Sequence, residues 1–223
     1  IMDILKNLQE IQAEIPDNVK LVAVSKFHPN EYIETAYSGG QRIFGESKEQ
    51  ELSKKQATLP NDIQWHFIGH LQTNKVKYIA PYIAMVEAVD SYKLLSEINK
   101  QAIKHNRTIA CLLEIHIAQE ESKYGFTFDT CRDMLQSGEW KSLKNVTIAG
   151  VMGMATNTDN EQEIEREFLS LKHFFDELKH DFFNDQPSFC EISMGMSHDY
   201  RIAIRTGATI IRVGSKIFGE RVY

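Results

Sequence analysis

Cysteine is scarce in this chain, and nothing in its spacing puts it to work. The 223 residues hold three, Cys111, Cys131 and Cys190, with no Cys-x-x-Cys pair. Disulfide frameworks need paired cysteines and zinc or redox motifs need close spacing, so a scattered, odd set points to a reducing compartment. Cys111 and Cys190 stand in apolar stretches and read as core residues. Long hydrophobic runs are missing too: none approaches the roughly 20 residues that span a bilayer. Ile1–Glu14 is an amphipathic helix pattern with acids, lacking the long apolar region of a signal peptide. The expected place is the cytoplasm. Basic residues form no block, and 25 of them against 31 acids leave a net charge of −6. Nucleic acid and membrane surfaces therefore have no electrostatic support as partners. The acid-rich run Glu161 to Glu167 reads as the solvated face of a helix. No Gly-x-Gly-x-x-Gly follows the first apolar run, which weakens a dinucleotide-binding reading. No Gly-x-Ser-x-Gly or Ser-His-Asp arrangement suggests a hydrolase.

What the chain does have is regular alternation. Short β-rich runs occur at Lys20–Ser25, Arg42–Gly45, Gln64–Gly69, Ile83–Val89, Ile109–Ile117, Val146–Val151, Phe189–Ser193 and Ile210–Val213. Helix-period segments lie between them, clearest at Ser91–His105 and Glu161–Phe183. Asp90-Ser91 before Leu94 and Leu95 reads as the start of the first of these, an acid and a hydroxyl able to cap free N–H groups. Pro29 suits a first helical turn, and Pro81 should end the helix before it. Eight such alternations behind an N-terminal helix predict an α/β fold, a single parallel (β/α)8 barrel of the TIM type over residues 1–223. An open doubly wound sheet is the alternative, because periodicity does not show closure.

A parallel barrel carries its site at the C-terminal ends of the strands, with phosphate often held after strands seven and eight. Lys26 ends the first strand. Ser193-Met194-Gly195-Met196-Ser197 ends the seventh, and Arg212-Val213-Gly214-Ser215 ends the eighth. Strand-end lysines form Schiff bases with carbonyl ligands, and glycine/serine turns bind phosphate through N–H groups and hydroxyls. A lone lysine after a strand is usually a surface residue, and either turn alone is usually ordinary capping. Their conjunction carries the argument, and pyridoxal 5′-phosphate is the common ligand that joins an aldehyde to a phosphate. Ser197 also precedes a helix running through Ile204, whose dipole favours a dianion. Asp199 reads as its starting acid and Tyr200 as a packing aromatic. Arg212 belongs to the same ring of strand ends as Lys26; a salt bridge to an acid is its plainer role. His66 and His70 lack a third partner, so hydrogen bonding fits them better than a metal.

The residues quoted, together with Phe44-Gly45-Glu46, Trp65–Lys75 and Gly214–Gly219 with Arg221, resemble the pyridoxal phosphate homeostasis proteins, the YggS or PROSC family. The likeness runs from near residue 20 to the C-terminus. It implies a barrel like the N-terminal domain of alanine racemase, with Lys26 as the Schiff-base lysine. It also implies Arg212 facing the pyridine nitrogen, and Ser197, Gly214 and Ser215 at the phosphate. Ser47 stands where the family often has Asn, and Leu113–His116 replaces a more usual Gln-Val-Asn segment; both departures are expected near the site. The implied role is a non-catalytic carrier that holds the cofactor as a lysine aldimine and serves vitamin B6 homeostasis. Transient contact with enzymes that use the cofactor is an implied partner relation, and a monomer is expected. An amino-acid racemase is the alternative, and the sequence stopping at Tyr223 is expected to leave no room for the second domain that racemisation uses. A Schiff-base aldolase is a third possibility for such a barrel.

Overall fold

Lys20–Val24 (β1) decides the architecture, because it pairs with strands from both ends of the chain. Its Ala23 lies beside Phe44 of β2 (Ile43–Glu46), and its Lys20–Ala23 runs alongside Ile210–Val213 (β8). Between them come β3 (Gln64–Phe67), β4 (Met85–Val89), β5 (Ile109–Glu114), β6 (Val146–Met152) and β7 (Glu191–Ser193). Every pairing is parallel, and the order β1 to β8 closes on itself. Closure settles the choice between barrel and open sheet. The computed structural model describes residues 3–121 and 123–221, so Ile1 and Met2 of the expected first helix, and Tyr223, lie outside the described residues.

Strand composition follows from burial on both faces. Val22, Met85, Leu112, Met152 and Ile210 form a small inner cluster. Ala23, Phe44, Trp65, Val86, Leu113, Val151 and Ile211 belong to the larger core beneath the helices. The helices are α1 (Ile4–Glu14), α2 (Asn30–Ser38), α3 (Glu49–Thr58), α4 (Val76–Ile79), α5 (Tyr92–Lys104), α6 (Phe128–Ser137), α7 (Glu161–Phe182), α8 (Tyr200–Thr206) and α9 (Ser215–Phe218). Ser91 caps α5 by accepting from Leu94 N at 3.1 Å, and Asn160 does the same for α7 from Glu163 N. Pro29 is the N-cap of α2, one place ahead of its first turn, and α4 ends two residues before Pro81.

Three sequence expectations are corrected. β5 stops at Glu114, because the chain returns there: Phe126 N donates to Glu114 O and His116 N to Phe126 O, each at 2.8 Å. Glu167 is buried rather than solvated; its two oxygens accept from Thr156 N and Thr156 Oγ, both at 2.6 Å, and hold the β6–α7 connection. Cys190 is exposed because it precedes β7 at the rim of the barrel, whereas Cys111 and Cys131 are buried. Among the described residues no helix is long and apolar enough to cross a membrane.

Candidate cofactor site

Beyond the C-terminal ends of the strands lies a cavity of about 190 Å³. Lys26, two residues past β1, lines it together with Ser197, Arg212, Gly214 and Ser215. The structure thus brings all five sequence-selected residues to one hollow. Val24, Ile68, Met154 and Met196 supply apolar walls, and His198 and Arg221 complete the lining.

The two C-terminal turns are stitched together by one hydroxyl. Ser197 Oγ accepts from Gly214 N at 3.3 Å and from Lys216 N at 3.4 Å, tying the β7–α8 connection to the start of α9. Gly195 sits at φ +103°, and a Cβ there would come within 2.6 Å of the Ala203 Cβ, so this turn packs onto α8 only with glycine. Asp199 is the N-cap of α8, and its carboxylate accepts from Met196 N at 2.7 Å, in the turn before the helix. The Ser197 and Ser215 hydroxyls line the cavity beside this turn.

Arg212 is 3% exposed and lies in a polar setting. Its guanidinium donates to Ser193 Oγ at 2.6 Å and to Gly153 O at 3.2 Å, with Glu87 Oε1 3.9 Å away. Glu87 is buried inside the barrel, accepting from Ser193 Oγ at 2.5 Å and from His66 Nδ1 at 2.7 Å. Burial alone would raise the Glu87 carboxyl; the His66 hydrogen bond, the His66 and Arg212 charges and the Ser193 bond outweigh it and hold the group below the usual carboxylate range. His66, Glu87, Ser193 and Arg212 form one polar chain under the cavity floor. The sequence signal for Glu87 was a lone acid in the otherwise apolar run Ile83–Val89.

Burial lowers the Lys26 ammonium to about 8, helped by the positive charges of Arg221 and Arg212 and opposed by Glu46 and Glu51. An amine so poised is partly unprotonated near neutrality and can attack a carbonyl.

Other candidates fall elsewhere. His70 leaves the strand, stacks on Tyr124 with centroids 4.1 Å apart and lies 3.6 Å from Asp90, well separated in role from His66. Among the described residues no cluster of three metal-type side chains occurs. Ser47 lines a neighbouring hollow of about 490 Å³, and His116 Nδ1 donates to Lys123 O at 2.8 Å; neither lines the Lys26 cavity.

The model of the alanine racemase N-terminal domain matches residues 2–222. The chain is 37% identical over 205 residues to the pyridoxal phosphate homeostasis protein of Aquifex aeolicus, covering 92% of this chain and 88% of that one. The chain belongs to this family. Among solved structures, that of PipY from Synechococcus elongatus PCC7942 without PLP superimposes with a TM-score of 0.91 at 34% identity, covering 97% of this chain and all of PipY. The same protein with PLP bound gives a TM-score of 0.88 at 33% identity, with the same coverage. The barrel expected from the strand-helix alternation and the family expected from the quoted motifs are both established.

Proposed function

We propose that this protein binds pyridoxal 5′-phosphate in the Lys26 cavity and serves vitamin B6 homeostasis as a carrier, without efficient turnover of amino acids. The observation that carries the proposal is the convergence of a poised strand-end amine and two serine-bearing turns on one hollow. Their donor chemistry fits a ligand with an aldehyde at one end and a phosphate at the other. PipY, a relative that superimposes over nearly the whole chain, has been solved with PLP bound.

In this reading Lys26 is the residue whose free amine would hold the cofactor, which would supply an aldehyde able to condense with an amine with loss of water and no change of oxidation state. Ser197, Ser215 and the Gly214 turn hold the phosphate, and Arg221 adds positive charge to the same mouth. Arg212 faces the pyridine nitrogen. Held by Ser193 Oγ and Gly153 O, its guanidinium would act as a hydrogen-bond donor to that nitrogen, an arrangement that would leave the ring a poorer store of carbanion charge than an acidic partner would. That favours holding the cofactor over processing amino acids. The remaining lining is apolar apart from His198 and Arg221. We further propose that residues 1–223 act as one barrel domain, as a monomer in the cytoplasm, passing cofactor by transient contact to enzymes that use it.

The test is borohydride reduction of the loaded protein followed by peptide mapping. The pyridoxyl group is expected on Lys26, and Lys26→Ala should abolish it; a label on another lysine, such as Lys75, would sink the assignment. Solvent-deuterium incorporation into L- and D-amino acids checks the carrier role. Turnover approaching the roughly 10 s⁻¹ typical of enzymes would replace it with the racemase reading.

A further inference from the structure

Lys26 points into the cavity from a turn that is gripped from behind. Val24 and Lys26 line the cavity, while Ser25, between them, is completely buried, its hydroxyl turned to β2 and its carbonyl to α3. Two side chains one helical turn apart on α3 reach this turn. Lys55 Nζ donates to Ser25 O at 2.8 Å, and Glu51 Oε2 accepts from Phe27 N at 2.6 Å. The Ser25 carbonyl belongs to the peptide unit before the Lys26 Cα, and the Phe27 N–H to the unit after it. Each of the two peptide planes that aim the Lys26 side chain is therefore tied to α3.

The grip is braced internally. Lys55 Nζ also donates to Glu51 Oε2 at 2.7 Å and to Glu46 Oε2 at 3.0 Å, using all three of its hydrogens. Glu46, at the end of β2, accepts in turn from Ser25 Oγ. Lys55 and Glu46 are both almost fully buried, and the Lys55 ammonium lies against the carboxylates of Glu46 and Glu51. The turn also holds Phe27 at φ +66°, a left-handed conformation that a bulky side chain adopts only when its surroundings impose it. A cluster whose only task was to pack α3 against the barrel would have no reason to direct its donors and acceptors at the two peptide groups around one lysine.

We propose that Lys55, together with Glu51, is a positioning residue that fixes the peptide planes on either side of Lys26 and so holds its amine at bonding distance from the aldehyde carbon. The inference rests on the reading of the cavity as a pyridoxal 5′-phosphate site. It makes α3, which contributes nothing to the Lys26 cavity, part of the apparatus for the covalent step.

Two ligands separate positioning from mere support of the fold. Pyridoxal 5′-phosphate can form the C=N link, whereas pyridoxine 5′-phosphate carries an alcohol in place of the aldehyde and can only bind. Glu51→Ala removes the acceptor of Phe27 N at a partly exposed position and should fold. Lys55→Met removes the second tie, and Lys55→Arg tests rescue by a conserved charge. Glu51→Ala is expected to slow formation of the link, followed by absorbance after mixing, by about 10- to 100-fold, the scale of loss when a reacting group is misplaced by about 1 Å. Pyridoxine 5′-phosphate affinity should change less than about twofold. Lys55→Met should behave likewise wherever it folds, and Lys55→Arg should recover part of the rate. An unchanged rate in Glu51→Ala, or equal weakening of both ligands, overturns the positioning role. Failure of pyridoxine 5′-phosphate to bind the wild-type protein, or labelling of Lys26→Ala at the wild-type rate, would instead overturn the cofactor site itself.

Discussion

For a single residue such as Lys26, reactivity turns on how much of the amine is uncharged. An ordinary lysine near 10.4 presents well under a thousandth of its amine as free base at pH 7, whereas one near 8 presents about a tenth. The rate of link formation with pyridoxal 5′-phosphate should therefore rise with pH and level off above about 8, rather than climbing steadily to 10. Stopped-flow absorbance between pH 6 and 10 checks this; a rise that continues past pH 9.5 would mean that burial and the Arg221 and Arg212 charges do not act on this amine as described. Lys26, Ser197, Arg212, Gly214 and Ser215 were legible in the sequence because strand ends announce themselves: an apolar run stops and a lysine or a glycine/serine turn follows. Glu51 and Lys55 were not legible. They lie on a helix rich in charge, where nothing in the spacing distinguishes an acid that holds a peptide N–H from one that faces water. Cys190 misled for the opposite reason, since an apolar neighbourhood in sequence says little about a residue at the rim.

Among the elements, the strands were easier to read than their ends. β1, β4 and β8 began or ended within two residues of expectation, because continuous apolar runs mark strands covered on both faces. β5 was overextended because Ile115 and Ile117 continue the apolar pattern while the hydrogen bonds pass to the returning Phe126 segment, a contact distant enough in sequence to leave no local trace. Closure was likewise invisible, since it depends on β1 meeting a strand 190 residues later. One glycine shows how tightly that closure is made. Gly150 of β6 has φ +152°, and a Cβ there would lie 1.8 Å from the Glu191 carbonyl oxygen of β7. Gly150→Ala must push two paired strands apart directly below the turn that carries Ser197. It is expected to cost about 3 kcal/mol or more, read from denaturant unfolding, and to weaken pyridoxal 5′-phosphate binding as well. Wild-type stability in the Gly150→Ala variant would show that β7 yields at little cost.

The whole molecule carries a further consequence of building a polar site inside a closed barrel: carboxyl groups held where water does not reach. Glu114, at the end of β5, is almost completely buried; burial and the nearby Asp90 raise its carboxyl from 4.5 to about 7, against the pull of Arg212. An acid whose folded-state value lies above its unfolded value costs stability as pH rises. Below pH 4.5 the group is protonated in both states and contributes nothing. Between 4.5 and about 7 the unfolded chain releases the proton while the folded one retains it, and stability falls; above about 7 the loss is complete, about 3 kcal/mol for a difference of this size. Glu114→Gln keeps the shape and removes the titration. The variant should match the wild type at pH 4.5, gain on it steadily through pH 7 and exceed it by up to about 3 kcal/mol at pH 8. Glu46, also raised to about 7 by burial despite the Lys55 charge, adds a similar slope to both proteins and cancels in the comparison. Denaturant unfolding of the two proteins at pH 4.5, 6 and 8 decides the matter. A constant difference across the three would mean that Gln merely packs better than Glu, and that the carboxyl at the mouth of this barrel is ionised throughout.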